Sequence, residues 1–266
     1  MNVPTLLEMV AEAAGDRVVV GSRTKGMTAG QLLEASRRSA QAFTSSGARN
    51  VVWLDYNSDA LPVVFFGAAL AGLAFVPVNY RLADPQLRAI LGRVTPGVAV
   101  VGEDMAWRAS GLEGLDVVVT DTVMSDPVPV WQGGDSTAGA SPASGELQWV
   151  DPEVVAVLLF TSGTTGEPKA AVLRHRHLAS YILSSVEFLS AGEDEAQLVS
   201  VPPYHIAGVS SILSSLYSGR RIIYLPGFDA GSWVRTVETE GITQAMVVPT
   251  MLGRILDEIE TSGCDV

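Results

Sequence analysis

Residues 154–169 read VVAVLLFTSGTTGEPK. The first seven, 154–160, are apolar without interruption and rich in valine, the pattern of a strand buried on both faces. Nine residues of opposite character follow. Thr161, Ser162, Thr164 and Thr165 offer four hydroxyls, and Gly163 and Gly166 permit a turn whose backbone N–H groups converge on one point. Pro168 stiffens the exit, and Lys169 adds a compact cation. A strand running into such a loop puts the loop at the carboxyl edge of a sheet, where open α/β sheets bind ligands. The groups offered there suit phosphate oxygens. Ser/Thr/Gly turns also occur with no ligand, but a run of hydroxyl and glycine residues closed by Pro-Lys exceeds what a turn requires. The loop is not of the Walker A type, which needs Gly-Lys-Ser/Thr opening a helix. Here Ala170, Ala171 and Val172 follow Lys169 and read as strand.

On either side of this segment short apolar runs alternate with helical patterns. Thr28 and Gln31 form a capping-box pair for a helix that stops near Gly47. Strands are expected over 51–54, 75–78 and 98–101, separated by an apolar helix reaching Gly72 and by a helix opened by Asp84-Pro85. Beyond the loop come a helix over 177–189, a strand over 198–201, a helix over 207–217 and a strand over 221–225. A helix capped by Asp229 and ended by Gly241, a strand over 245–248 and a helix opening at Thr250 complete the pattern. The alternation lapses near residues 121–145, where GGDSTAGASPASG reads as a mobile linker. The expected fold class is α/β: two successive subdomains with largely parallel sheets, residues 1–120 and 151–266, joined by a linker at 121–150.

Composition narrows the function. A formal charge of −12 argues against a nucleic-acid partner, whose phosphates need a basic face. An anionic ligand must then be met by local dipoles and a few placed cations. Three His and the single Cys264 show no metal-ligand spacing, so no metal ligands are assigned. One cysteine allows no internal disulfide and points to a reducing, cytoplasmic setting. No basic residue precedes an apolar run at the N-terminus, unlike a signal peptide. Residues 61–78 carry no charge over 18 positions, yet Pro62, Gly67, Gly72 and Pro77 divide them into a helix and a strand, so no membrane span is expected.

TSGTTGEPK closely resembles the signature of the adenylate-forming superfamily, which comprises acyl-CoA synthetases, nonribosomal peptide adenylation domains and luciferases. Other segments extend the resemblance along nearly the whole chain: MTAGQLLEASRRSAQAF, FFGAALAGLAFVPVNYRL, PPYHIAG and FDAGSWVRTVETEGITQAMVVPTML. One departure is Ala170, where a Gly is usual. The resemblance implies attack of a carboxylate on the α-phosphorus of ATP, giving an acyl-adenylate and pyrophosphate. A thiol, usually that of coenzyme A, then takes the acyl group. It implies ATP, Mg²⁺ and coenzyme A for the parent enzyme. Thr161, Ser162, Gly163, Thr164, Thr165, Gly166 and Lys169 become the nucleotide-binding residues. Preorganised N–H donors and Lys169 would stabilise the charge gathering on the leaving pyrophosphate.

For Tyr204 and His205, within PPYHIAG, the residues alone favour a solvated loop or cap. The resemblance instead matches His205, the candidate catalytic residue, to an aromatic or imidazole position lining the carboxylate site. Tyr204, His205, Ala207 and Gly208 are then the substrate-binding candidates, with the small-residue face of the following helix bordering the acyl group. His175 and His177, flanked by Arg174 and Arg176, belong to a strand-to-helix junction. Phe228-Asp229-Ala230 imitates the FDxS sequence of amino-acid-activating relatives but stands elsewhere in the pattern. A fatty or other carboxylic acid is favoured. The family's adenine, ribose and Mg²⁺ elements are not found, so the chain reads as an N-terminal fragment that is inactive alone. A block cut there should expose apolar surface, which predicts self-association, a homo-oligomer included. Two alternatives stay open: an adenylation unit loading a carrier protein, and a non-catalytic nucleotide-binding or scaffold chain.

Overall fold

The computed structural model describes residues 1–125, 149–161 and 168–263. Its elements open with α1 (Val3–Ala14), β1 (Val18–Val20), β2 (Met27–Thr28), α2 (Ala29–Ser45), β3 (Asn50–Leu54), α3 (Ala60–Leu70) and β4 (Ala74–Pro77). Next come α4 (Asp84–Gly92), β5 (Gly97–Val101), α5 (Ala106–Ala109), β6 (Leu115–Val119), α6 (Thr120–Val123), β7 (Val155–Thr161) and β8 (Lys169–Arg174). The last are α7 (His175–Ser185), β9 (Ala196–Val199), α8 (Ile206–Ser218), β10 (Arg221–Tyr224), α9 (Ala230–Glu240), β11 (Gln244–Ala245) and α10 (Pro249–Ser262).

The helix signals read from the sequence have physical counterparts. The Thr28 N–H donates to Gln31 Oε1 at 2.9 Å and the Gln31 N–H to Thr28 Oγ1 at 3.2 Å, closing the capping box of α2. Asp229 caps α9 by accepting from the Ser232 N–H at 2.8 Å, which also holds its carboxyl below the usual carboxylate range. Gly219 and Gly241, in the left-handed region, end α8 and α9. The uncharged 61–78 segment is α3 followed by β4. Every residue of α3 is buried, which accounts for its apolar character on all sides. Among the described residues no helix is long and apolar enough to cross a membrane.

The chain forms two compact units. The first contains Met1–Leu6, Leu33–Asp55 and Ala60–Tyr181. Its sheet has the order β6-β5-β3-β4-β7-β8, parallel except for β8, which returns antiparallel to β7. Its core holds Trp53, Phe43, Phe65, Phe66 and Phe75, all fully buried. The second contains Leu7–Leu32, Tyr56–Asp59 and Ile182–Val266. Its sheet has the order β11-β9-β10-β1-β2, again parallel except for a hairpin partner, β2. Val199, Val201, Ile222 and Met251 form one of its apolar clusters.

The α/β class and the largely parallel sheets match the expectation. The units, however, are interleaved in sequence and do not follow the expected 1–120 and 151–266 division. β7 and β8 complete the first sheet, whereas β1 pairs with β10, Val20 opposite Ile222, in the second. Local patterns report which residues form a strand and carry no information on its distant neighbour. Of the expected linker at 121–150, residues 126–148 lie outside the described residues, and Thr120–Val123 is a short helix.

Candidate active site

The parallel pairing of β7 with β4, Phe75 opposite Val157, fixes the direction of β7 and puts Thr161 at the carboxyl edge of the first sheet. Ser162, Gly163, Thr164, Thr165 and Gly166 lie outside the described residues. The two ends of the loop are described. Thr161 pairs with Lys169 and Phe160 with Ala170 across the β7–β8 hairpin. The Thr161 hydroxyl donates to the Lys169 carbonyl oxygen at 3.3 Å, and both residues are exposed. Lys169 thus opens a strand, not a helix, as its sequence context predicts. At the mouth of this hairpin the Lys169 ammonium group offers donors and a charge suited to phosphate oxygens, while the Thr161 proton is engaged by the Lys169 carbonyl.

Two residues just after β8 bond to two just before β7 and close the base of this hairpin. The His175 N–H donates to the Val154 carbonyl at 3.2 Å and the Arg176 N–H to that of Pro152 at 3.0 Å. His175 itself is fully buried, and its Nδ1 accepts from the Val3 N–H at 3.3 Å. Its Nε2 is buried with no hydrogen-bond partner among the described residues. Loss of solvent pushes the imidazole pKa down to about 4. His177 Nδ1 accepts from the Arg174 N–H at 3.2 Å, and Arg176 pairs with Glu153 at 2.7 Å. Both histidines therefore serve the strand-to-helix junction, as expected.

The Tyr204–Gly208 segment belongs to the second unit. His205 is the residue before α8, in extended conformation, and its side chain makes no capping hydrogen bond. It is exposed, with its ring centroid 4.7 Å from that of the half-buried Tyr204. Ala207 is half-buried and Gly208 buried. A Cβ on Gly208 would stand 3.1 Å from the Pro203 carbonyl oxygen and 3.2 Å from its Cα, so the close approach of α8 to the preceding loop accounts for this glycine. Part of the small-residue face of α8 is also accounted for by packing. Gln197 of β9 donates to Ser211 at 3.1 Å and accepts from Ser215, all three buried.

At the ends of β9 and β10, Asn57 donates to the Val201 and Leu225 carbonyls at 2.8 and 3.2 Å. Near it, burial raises the pKa of Asp59; burial, with the charge of Asp59, raises that of Tyr224. Among the described residues no group of three or more His, Cys, Asp or Glu could hold a metal ion. One residue at the loop had no sequence signal at all. Arg93, after α4, donates to the Pro168 carbonyl at 2.6 Å and stands over the Phe160 ring, 5.1 Å from its centroid.

Known proteins resemble this chain in sequence or in fold. An indoleacetate–CoA ligase from Aromatoleum aromaticum is 30% identical over 230 residues, 84% of this chain and 44% of that protein. A fatty acid–[acyl-carrier-protein] ligase from Streptomyces coeruleorubidus is 28% identical over 244 residues, 87% of this chain and 45% of that protein. Among solved structures, o-succinylbenzoate coenzyme A synthetase from Bacillus subtilis, in complex with AMP, aligns with a TM-score of 0.78. The alignment covers 95% of this chain and 50% of that one at 20% identity, a likeness of fold. The chain spans about half the length of the curated relatives it matches. The family of AMP-binding enzymes matches residues 7–264, and the chain is a member of that family.

Proposed function

We propose that this chain is the N-terminal part of an AMP-forming acid:CoA ligase that activates a fatty or other carboxylic acid in the cytoplasm. The observation that carries the reading is the hairpin mouth at the carboxyl edge of β7, with Thr161 and Lys169 side by side, in a chain of the AMP-binding family. Thr161, Ser162, Gly163, Thr164, Thr165, Gly166 and Lys169 bind the triphosphate of ATP. Lys169 and the loop N–H groups meet the charge that builds up on the departing pyrophosphate, so they lower the barrier rather than merely bind substrate. Lys169 fits that role by chemistry, as a compact cation at the loop exit; Thr161 would have to turn its hydroxyl from the Lys169 carbonyl to donate to a phosphate. Among the described residues no cluster fits a protein-held metal, and Mg²⁺ enters this reading together with ATP.

Tyr204, His205, Ala207 and Gly208 line the acid's carboxylate, with His205 acting on it. Exposure of the His205 ring and the lack of a capping bond support this part, since its side chain has no described structural task. The acceptor is coenzyme A. The likeness to an indoleacetate–CoA ligase supports that choice, and the likeness to an acyl-carrier-protein ligase names the competing acceptor.

The test uses the full-length protein that contains this chain, supplied with ATP, Mg²⁺ and a panel of aryl-acetic, aromatic and fatty acids. Either coenzyme A or an acyl carrier protein is added as acceptor. Formation of AMP, pyrophosphate and an acyl-CoA thioester is the expected result. Release of ADP, or a thioester formed only on the carrier protein, contradicts the proposal.

A further inference from the structure

We infer that Arg93 is a positioning residue for Lys169, acting on both described ends of the loop between β7 and β8. The inference rests on the reading of Lys169 as a phosphate contact. Arg93 follows the last turn of α4. Its backbone N–H donates to the Ile90 carbonyl, and the neighbouring Val94 is tied by its N–H to Leu91 and by its carbonyl to Asn50 Nδ2 at 2.9 Å. The base of the side chain is therefore fixed. A cation at the end of a helix commonly serves the helix itself by meeting its last carbonyls. The described side-chain hydrogen bond of Arg93 goes instead to Pro168, 75 residues on.

Its target decides what the bond does. The Pro168 carbonyl shares a rigid peptide plane with the Lys169 N–H, so holding the one orients the other. Pro168 already has a fixed φ, which leaves little else free on that side. The next peptide is held as well, because the Lys169 carbonyl accepts from the Thr161 hydroxyl. The guanidinium also stands over the ring of Phe160, on the entry side of the loop, in cation–π geometry. One side chain thus touches the residue two before the 162–167 segment and the residue just after it. Both peptide groups flanking Lys169 are oriented, and only its side-chain torsions remain to be set by the ligand. Preorganisation of that kind improves the response to developing charge without a new contact to ATP.

The experiment measures acid-dependent pyrophosphate release against ATP concentration in the full-length protein. It compares wild type with Arg93→Ala, Arg93→Lys, Lys169→Ala and the Arg93→Ala/Lys169→Ala pair. Arg93→Ala should lower kcat/KM for ATP about tenfold while the KM for the acid stays within about twofold. Arg93→Lys keeps a charged donor and should restore most of the loss. The double variant should be no worse than Lys169→Ala, because Arg93 acts through that residue. Arg93 is exposed, so the melting temperature should not move. Wild-type kinetics in Arg93→Ala, losses that multiply in the double variant, or equal damage to both substrates with a lowered melting temperature would each overturn the inference. An unchanged ATP dependence in Lys169→Ala would remove the phosphate reading of the loop itself, and the inference with it.

Discussion

At His175 the fold keeps an imidazole neutral by burying it. The ring is fully buried at the start of α7, and its pKa lies at about 4 against 6.5 for the free group. As pH falls through 6.5 the unfolded chain takes up a proton that the folded chain refuses until about pH 4. Stability is therefore lost across that window, by about 3 kcal/mol at roughly 1.4 kcal/mol per pH unit. Urea unfolding at pH 7 and at pH 4.5 checks this. His175→Asn offers a neutral acceptor to the Val3 N–H and should lose part of the acid slope; an unchanged slope contradicts the account. His205 is the opposite case, an exposed ring with no described hydrogen bond. In the full-length protein, His205→Ala should raise KM for the acid more than for ATP. An effect confined to thermal stability would return His205 to a structural role.

At the scale of elements, close helix packing is the sharpest constraint. A Cβ on Gly67 of α3 would stand 2.8 Å from Ser39 Cβ and 3.1 Å from the Phe43 ring, both on α2. Gly67→Val should destabilise the protein by about 1–3 kcal/mol, read as a lower urea midpoint, because overpacking a filled core forces side chains off their rotamers. A midpoint equal to wild type would show that the helices can part without cost. Local signals of this kind made much of the fold legible. The Thr28–Gln31 box, the Asp229 cap and the glycines after α8 and α9 all work within a few residues. Less was legible where the cause is distant. β1 is three residues long and owes its place to β10, some 200 residues away, and β6 precedes the low-complexity stretch that obscures its pattern. The same holds at the candidate site. The chemistry of Lys169 is plain in TSGTTGEPK, but nothing in the sequence near Arg93 announces a bond across 75 residues.

For the whole molecule, charge and coverage set the terms. With a formal charge of −12, the chain must concentrate its cations where an anion binds, and the hairpin mouth brings Lys169 and Arg93 to one loop. In the second unit Met246 and Val248, between β11 and α10, and Leu252 and Leu256, on α10, are exposed by 43–52%. Such a row predicts that isolated residues 1–266 associate with themselves, seen as dimers or larger species in sedimentation velocity; a monodisperse monomer would contradict it. Since curated relatives are about twice as long, the proposal divides the active site between this chain and the rest of the full-length protein. Acid-dependent ATP–pyrophosphate exchange, measured side by side on the full-length protein and on residues 1–266, tests that claim most directly. The account predicts exchange that depends on a carboxylic acid in the full-length protein and none measurable in residues 1–266 alone. Absence of acid-dependent exchange in the full-length protein, or equal exchange in the two, would contradict it.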